Sequence, residues 1–171
     1  LDALAARLSA RGVLMGSHDD RTPSDRAAWR ARGVRIAEFP ETREAAEAAV
    51  AAGDPVVMGA PNVVRGGSHD GKVAAEGLVA DGLVTALASD YHVPSLRAAA
   101  LKLAPQLGLA AAWALISERP AAMLGLSDRG RLEPGLRADL VVLDASGQVG
   151  ATFAAGVPRY MAGAVAARFL D

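Results

Sequence analysis

The stretch Val13-Leu14-Met15-Gly16-Ser17-His18-Asp19-Asp20 sets a pattern that the chain repeats three times. It returns as Val34-Arg35-Ile36-Ala37-Glu38-Phe39-Pro40, as Pro55-Val56-Val57-Met58-Gly59, and as Leu83-Val84-Thr85-Ala86-Leu87-Ala88-Ser89-Asp90. Each begins as an apolar run too short for a helix and suited to a strand buried on both faces. Between them lie amphipathic, alanine-rich segments with helix signals at their ends. Residues 1–11 read as a helix closed by Gly12. Thr22 caps the next, with Pro23 in its first turn, Asp25 three residues on from the cap and Gly33 at its end. Thr42 to Ala52 is helical by period, and so is a segment from about Val73 to Ala80. Two more helices are expected over 94–108 and 109–124. Strand–helix units in succession imply an α/β fold with a parallel sheet and right-handed crossovers.

The last third changes character. Arg131 to Gly135 is rich in turn residues, Ala138 to Asp144 reads as a strand, and 152–156 and 158–166 read as two more. The boundary falls near Leu126. Across the 171 residues, 18 Lys and Arg stand against 19 Asp and Glu, a net charge of −1. That balance argues against nucleic acid or an anionic membrane as partner, either of which calls for a basic surplus. Cysteine is absent, which excludes a disulfide framework, a thiolate zinc site and a thiol nucleophile. The longest strongly apolar stretch, Leu107 to Ile116, is about half of a spanning helix. No secretory leader is visible and nothing points outside the cell, so a cytoplasmic protein is expected. The opening at Leu1, already inside a helical pattern, fits a piece of a longer chain.

In parallel α/β folds ligands gather at the carboxyl ends of the strands. Four polar groups fall there: Ser17 to Asp20, Glu38, the loop from Asn62 to His69, and Ser89 to His92. The chain has three histidines, and all of them lie in these segments. His18 is a candidate metal ligand or base, with a neighbouring Asp to orient its second nitrogen; neutral imidazole suits Zn, Fe, Mn or Ni. Alternatively, Asp19 or Asp20 makes an Asx turn there. Asp90 either points into the mouth of the site or caps the helix that begins at Pro94. Glu38 either faces the site or pairs with Arg35 or Arg43. Asn62, Arg65, Gly66, Gly67, Ser68, His69 and Lys72 form a polar, aperiodic loop whose main-chain donors and cations suit phosphate. Neither GxxxxGK[ST], GxSxG nor GxGxxG occurs, which argues against a P-loop, a serine-hydrolase elbow and a dinucleotide fingerprint.

Ala121-Ala-Met-Leu-Gly-Leu-Ser-Asp-Arg-Gly-Arg-Leu-Glu-Pro-Gly-Leu-Arg-Ala-Asp-Leu-Val-Val-Leu-Asp144 resembles a passage of the amidohydrolase superfamily. There it joins the last barrel helix to a small β-sandwich built from both chain ends. Asp90 resembles the last-strand aspartate of that superfamily, a metal ligand and proton shuttle. His18 resembles its metal-binding histidine after the fifth strand. The segments 17–20, 36–42, 57–69 and 87–91 are similar to one branch, the diphosphatases of phosphonate metabolism. The superfamily's first-strand His-x-His pair and fourth-strand Lys are not in this chain, and its sixth-strand His is unmatched. Glu38 stands at that strand's end, and His69 offers itself from the loop.

The resemblance implies that residues 1–126 form the C-terminal half of a (β/α)8 TIM barrel, strands five to eight. Residues 127–171 would be part of the composite β-sandwich. It implies a divalent metal (Zn, Mn, Fe or Ni) held by His18 and Asp90 with Glu38 or His69. A phosphorylated sugar would be the substrate, and a homo-oligomer that includes the missing N-terminal portion is expected. The implied reaction hydrolyses α-D-ribose 1-methylphosphonate 5-triphosphate to the 5-phosphate and pyrophosphate. Two other readings stand beside it: a cyclic-amide hydrolase or deaminase of the same superfamily, and a truncated fragment, non-catalytic by itself.

Overall fold

The computed structural model describes residues 1–67 and 72–169. Four strands, β1 (Gly16–His18), β2 (Ile36–Glu38), β3 (Val56–Gly59) and β4 (Ala86–Ala88), form one parallel sheet in the order β1-β2-β3-β4. The expected strand–helix alternation holds. Helices α1 (Asp2–Ala10), α2 (Pro23–Ala31), α3 (Arg43–Ala51), α4 (Ala60–Arg65) and α5 (Ala75–Ala80) punctuate the strands. After β4 come α6 (Ser95–Leu107), α7 (Leu109–Ala114) and α8 (Glu118–Met123). Strands in simple sequential order with right-handed crossovers place their connecting helices on one face of the sheet.

Local chemistry accounts for the helix starts. Thr22 accepts the Asp25 amide while the Asp25 carboxylate takes the Thr22 amide, a complete capping box, with Pro23 behind it. Thr42 caps α3 by its hydroxyl alone, which accepts the Ala45 amide. On the helix-facing side of the sheet Ala37, Val56, Met58 and Leu87 pack against Leu78 and Leu103 in one buried cluster. Each buried Leu contributes about 1.5–3 kcal/mol by removal from water. Ala45, Ala46 and Ala49 are fully buried and let α3 lie close to the strands.

Four expectations need correction. The strands are shorter than their apolar runs: Val13 and Leu14 lie outside β1 and are partly exposed. The polar loop after β3 begins as helix α4, because Pro61 sits in its first turn and Gly66, at φ 81°, ends it in the left-handed region. The helix expected over 109–124 is two helices. Pro120 would break a continuous one, but in the first turn of α8 its missing N–H costs nothing. The expected final strand over 158–166 is a strand followed by a helix.

That strand belongs to a second, antiparallel sheet of β5 (Leu140–Leu143), β6 (Val149–Ala154) and β7 (Val157–Met161), followed by α9 (Gly163–Ala167). Gly150 is what lets α9 seat on β6: a Cβ there would lie 2.3 Å from Cγ2 of Val165. Arg97 of α6 donates to the Gly147 carbonyl (2.8 Å) and to Oε1 of Gln148 (3.0 Å), fastening the β5–β6 turn to the helical layer. Among the described residues no helix is long and apolar enough to cross a membrane.

Candidate active site

A cleft of about 320 Å³ opens at the carboxyl ends of the parallel strands. Each strand contributes to its wall: His18 ends β1 and Asp19 follows it, Phe39 follows β2, Asn62 and Arg65 follow β3, and Asp90 follows β4. Lys72 closes the rim. The volume suits a small, polar ligand.

Three of these wall residues have left-handed backbones without being glycine: Asp19 at φ 61°, Phe39 at 52° and Asp90 at 52°. Asp tolerates this region, whereas an aromatic residue there is strained by roughly 1–3 kcal/mol. The strain is held by tertiary contacts. The Phe39 amide donates to the Val57 carbonyl (2.9 Å), and its ring meets the His18 ring edge-on with centroids 5.1 Å apart. The turn at Asp19 is fixed in turn by its amide on the Glu38 carbonyl (3.1 Å).

The side chains form a chain of charges along the rim. Nδ1 of His18 lies 2.8 Å from Oδ2 of Asp19, which turns that nitrogen to the carboxylate and leaves Nε2 as the ring nitrogen away from it. Nζ of Lys72 lies 3.7 Å from Oδ1 of Asp19 and 2.7 Å from Oε1 of Glu41. Arg21 donates to the other Glu41 oxygen (2.7 Å). The Lys72 hydrogen bond, assisted by Arg21 and opposed by partial desolvation, holds the Glu41 carboxyl below its usual range. Glu41 also knits the rim through its backbone, donating to the Asp20 carbonyl (2.9 Å) and accepting from the Val73 amide (3.0 Å). Arg65 donates to the Tyr91 hydroxyl across the mouth.

The cleft therefore brings His18, Asn62, Arg65, Lys72 and Asp90 together. Glu38 is beside His18 as its register partner, yet the wall runs to Phe39 without it. Gly66 and Gly67 do not line the cleft either. Their amides, expected to be open to an anion, bond the Asn62 and Val63 carbonyls at the end of α4. Asn62 uses Oδ1 to accept the Ala75 amide (3.0 Å), fastening the start of α5. Asp90 does not cap α6, whose N-cap is Pro94. Ser68 and His69 lie outside the described residues. Sequence reasoning passed over Phe39, Glu41 and Tyr91; only their place beside strand ends, which applies equally to many neighbours, could have drawn attention to them.

His18 and Asp90 have the donor chemistry for Zn, Mn, Fe or Ni. They number two where catalytic sites usually draw three ligands from protein. Among the described residues no three His, Asp or Glu side chains are grouped so that they could hold a metal ion.

A model of the amidohydrolase family matches residues 68–160. The chain is 46% identical over 145 residues to the α-D-ribose 1-methylphosphonate 5-triphosphate diphosphatase of Escherichia coli (strain K12), covering 82% of this chain and 38% of that protein. Among solved structures it superposes on a prolidase complexed with N-methylphosphonate-L-proline, with a TM-score of 0.67 and 18% identity over 94% of this chain and 48% of that one. It also superposes on the N-acetyl-D-glucosamine-6-phosphate deacetylase of Mycobacterium smegmatis, with a TM-score of 0.67 and 21% identity over 92% of this chain and 51% of that one. The chain thus spans well under half the length of the curated relative, and about half of each structural one. With a family match over more than half its residues, running from the cleft rim into the second sheet, the chain belongs to the amidohydrolase family.

Proposed function

We propose that this chain is the C-terminal portion of a metal-dependent diphosphatase. In this reading β1 to β4 are strands five to eight of a (β/α)8 barrel over residues 1–126, and 127–171 are part of a composite β-sandwich. The enzyme acts in the cytoplasm on α-D-ribose 1-methylphosphonate 5-triphosphate and releases pyrophosphate. The observation that carries it is the cleft at the strand ends, where His18, Asp90, Arg65 and Lys72 meet, in a chain 46% identical to a diphosphatase of that name.

His18 and Asp90, with ligands from outside the described residues, would hold a divalent ion, whose Lewis acidity makes water acidic enough to ionise near neutral pH. Asp90 accepts the proton of the attacking water. Water oxygen bonds to phosphorus, the bridging anhydride bond breaks, and its electron pair leaves with pyrophosphate. Arg65 and Lys72 meet the charge that builds on the phosphate oxygens, Lys72 exchanging Glu41 and Asp19 for them. A cyclic-amide hydrolase draws support from one observation, the engagement of Lys72 by two carboxylates, which lowers the positive charge of the cleft. An assay of the full-length protein decides between them. Pyrophosphate release from the ribose triphosphate is expected, and turnover of dihydroorotate or simple amides alone would overturn the proposal.

A further inference from the structure

Behind the His18–Asp19 turn lies a buried ionic cluster that the cleft does not touch. The Arg26 side chain, on α2, is 1% exposed, as is that of Asp20. Nη1 of Arg26 donates to Ser17 Oγ (2.9 Å), to Oδ2 of Asp20 (3.2 Å) and to the Ile36 carbonyl (3.1 Å); Nη2 donates to the Val34 carbonyl (2.6 Å). Ser17 in turn donates to Oδ2 of Asp20 (2.8 Å). Nε of Arg26 faces Oδ2 of Asp54 at 3.5 Å, beyond a good hydrogen bond, and Arg30 pairs with the other Asp54 oxygen.

One guanidinium thus holds the carboxyl end of β1, the strand β2 beside it and the residue just after the left-handed turn. Burying charges is costly and gains little net stability over an apolar core. What such a cluster does well is fix geometry, because a planar fork with several acceptors has one arrangement. His18 and Asp19 sit between two anchors, Ser17 and Asp20, both tied to that fork. The backbone between them is these two residues alone, with the left-handed turn at Asp19 (φ 61°).

We infer that Arg26 and Asp20 are positioning residues, which through the Asp19 turn set the His18–Asp19 pair so that Nδ1 donates to Asp19 and Nε2 is presented as donor atom. The inference rests on the proposed role of His18 as a ligand, and it makes a statement about the ring that needs no metal. Outer partners of this kind affect metal affinity by about 10–100-fold.

The experiment compares wild type, Asp20→Ala, Asp20→Asn and Arg26→Lys by three readouts. Urea unfolding reports folding. Long-range 1H–15N spectra at about pH 8.5, where an ordinary imidazole is neutral, report the His18 tautomer, with His92 as internal reference. Cobalt(II) titration reports affinity. Wild type is expected to hold the Nδ1–H tautomer. Asp20→Ala and Arg26→Lys shift His18 towards the mixture of a free ring, leave His92 unchanged, and weaken cobalt binding about tenfold or more. Asp20→Asn restores the tautomer, since its amide oxygen can accept from Ser17 and Arg26. If Asp20→Ala does not fold, Arg26→Lys, which keeps the buried charge, decides alone. A lowered urea midpoint with an unchanged His18 tautomer would overturn the inference. Absence of cobalt binding in wild type with the tautomer shift intact would instead count against the proposed function and leave the positioning role standing.

Discussion

Asn62 is where two roles compete, and one substitution separates them. Its sequence context marks it as a substrate contact, whereas in the fold its Oδ1 accepts the Ala75 amide at 3.0 Å. Ala75 is the first residue of α5 and fully buried, so its N–H has neither an intrahelical acceptor nor free access to water. Asn62→Ala therefore leaves a buried donor unsatisfied, which costs about 1–3 kcal/mol. For a domain of this size that lowers the thermal midpoint by about 2–12 °C, at roughly 2–4 °C per kcal/mol. Asn62→Asp keeps an acceptor in the same place, with a charge-assisted bond, and is expected within about 0.5 kcal/mol of wild type. Scanning calorimetry or urea unfolding of the three proteins reads the difference directly. If Asn62→Ala matches wild type within about 0.5 kcal/mol, the Ala75 bond contributes nothing and the residue belongs to substrate alone.

Asp90→Asn should leave the unfolding midpoint unchanged, since the residue is exposed and Asn tolerates its φ of 52°. In the full-length protein it should slow pyrophosphate release by about 10²–10⁴-fold, because an amide cannot take a proton; near wild-type turnover would make Asp90 a structural turn. Thr22→Ala breaks the capping box of α2 and should cost about 1 kcal/mol in urea unfolding. The Lys72 hydrogen bond holds the Glu41 carboxyl below the usual glutamate range, so its bonds to Lys72 and Arg21 add stability in full above about pH 5. That stability fades as pH falls through the lowered folded value, and Glu41→Gln should flatten the decline of the thermal midpoint between about pH 5 and 3.

Much of this fold is written locally. The Thr22–Asp25 capping box, the Pro61-to-Gly66 limits of α4 and the short apolar runs that become β1 to β4 act within a few residues of chain. Their chemistry can be read without neighbours, although the polar, aperiodic composition after Asn62 masks the short helix that Pro61 and Gly66 bound. Placing His18, Arg65, Lys72 and Asp90 in one cleft also follows from sequence, because every parallel strand delivers its next residues to the same end of the sheet. Packing decided the rest. The strand-end pattern could not separate Glu38 from Phe39, since a left-handed turn put the aromatic ring, and not the carboxylate, on the wall. The pairing of Lys72 with Glu41, and of Arg26 with Asp20 and Asp54, joins a helix and loops whose approach depends on how the helices seat. An arginine on a helix reads as a surface cation until the sheet closes over it; only then does its one guanidinium become the anchor for the turn beside His18.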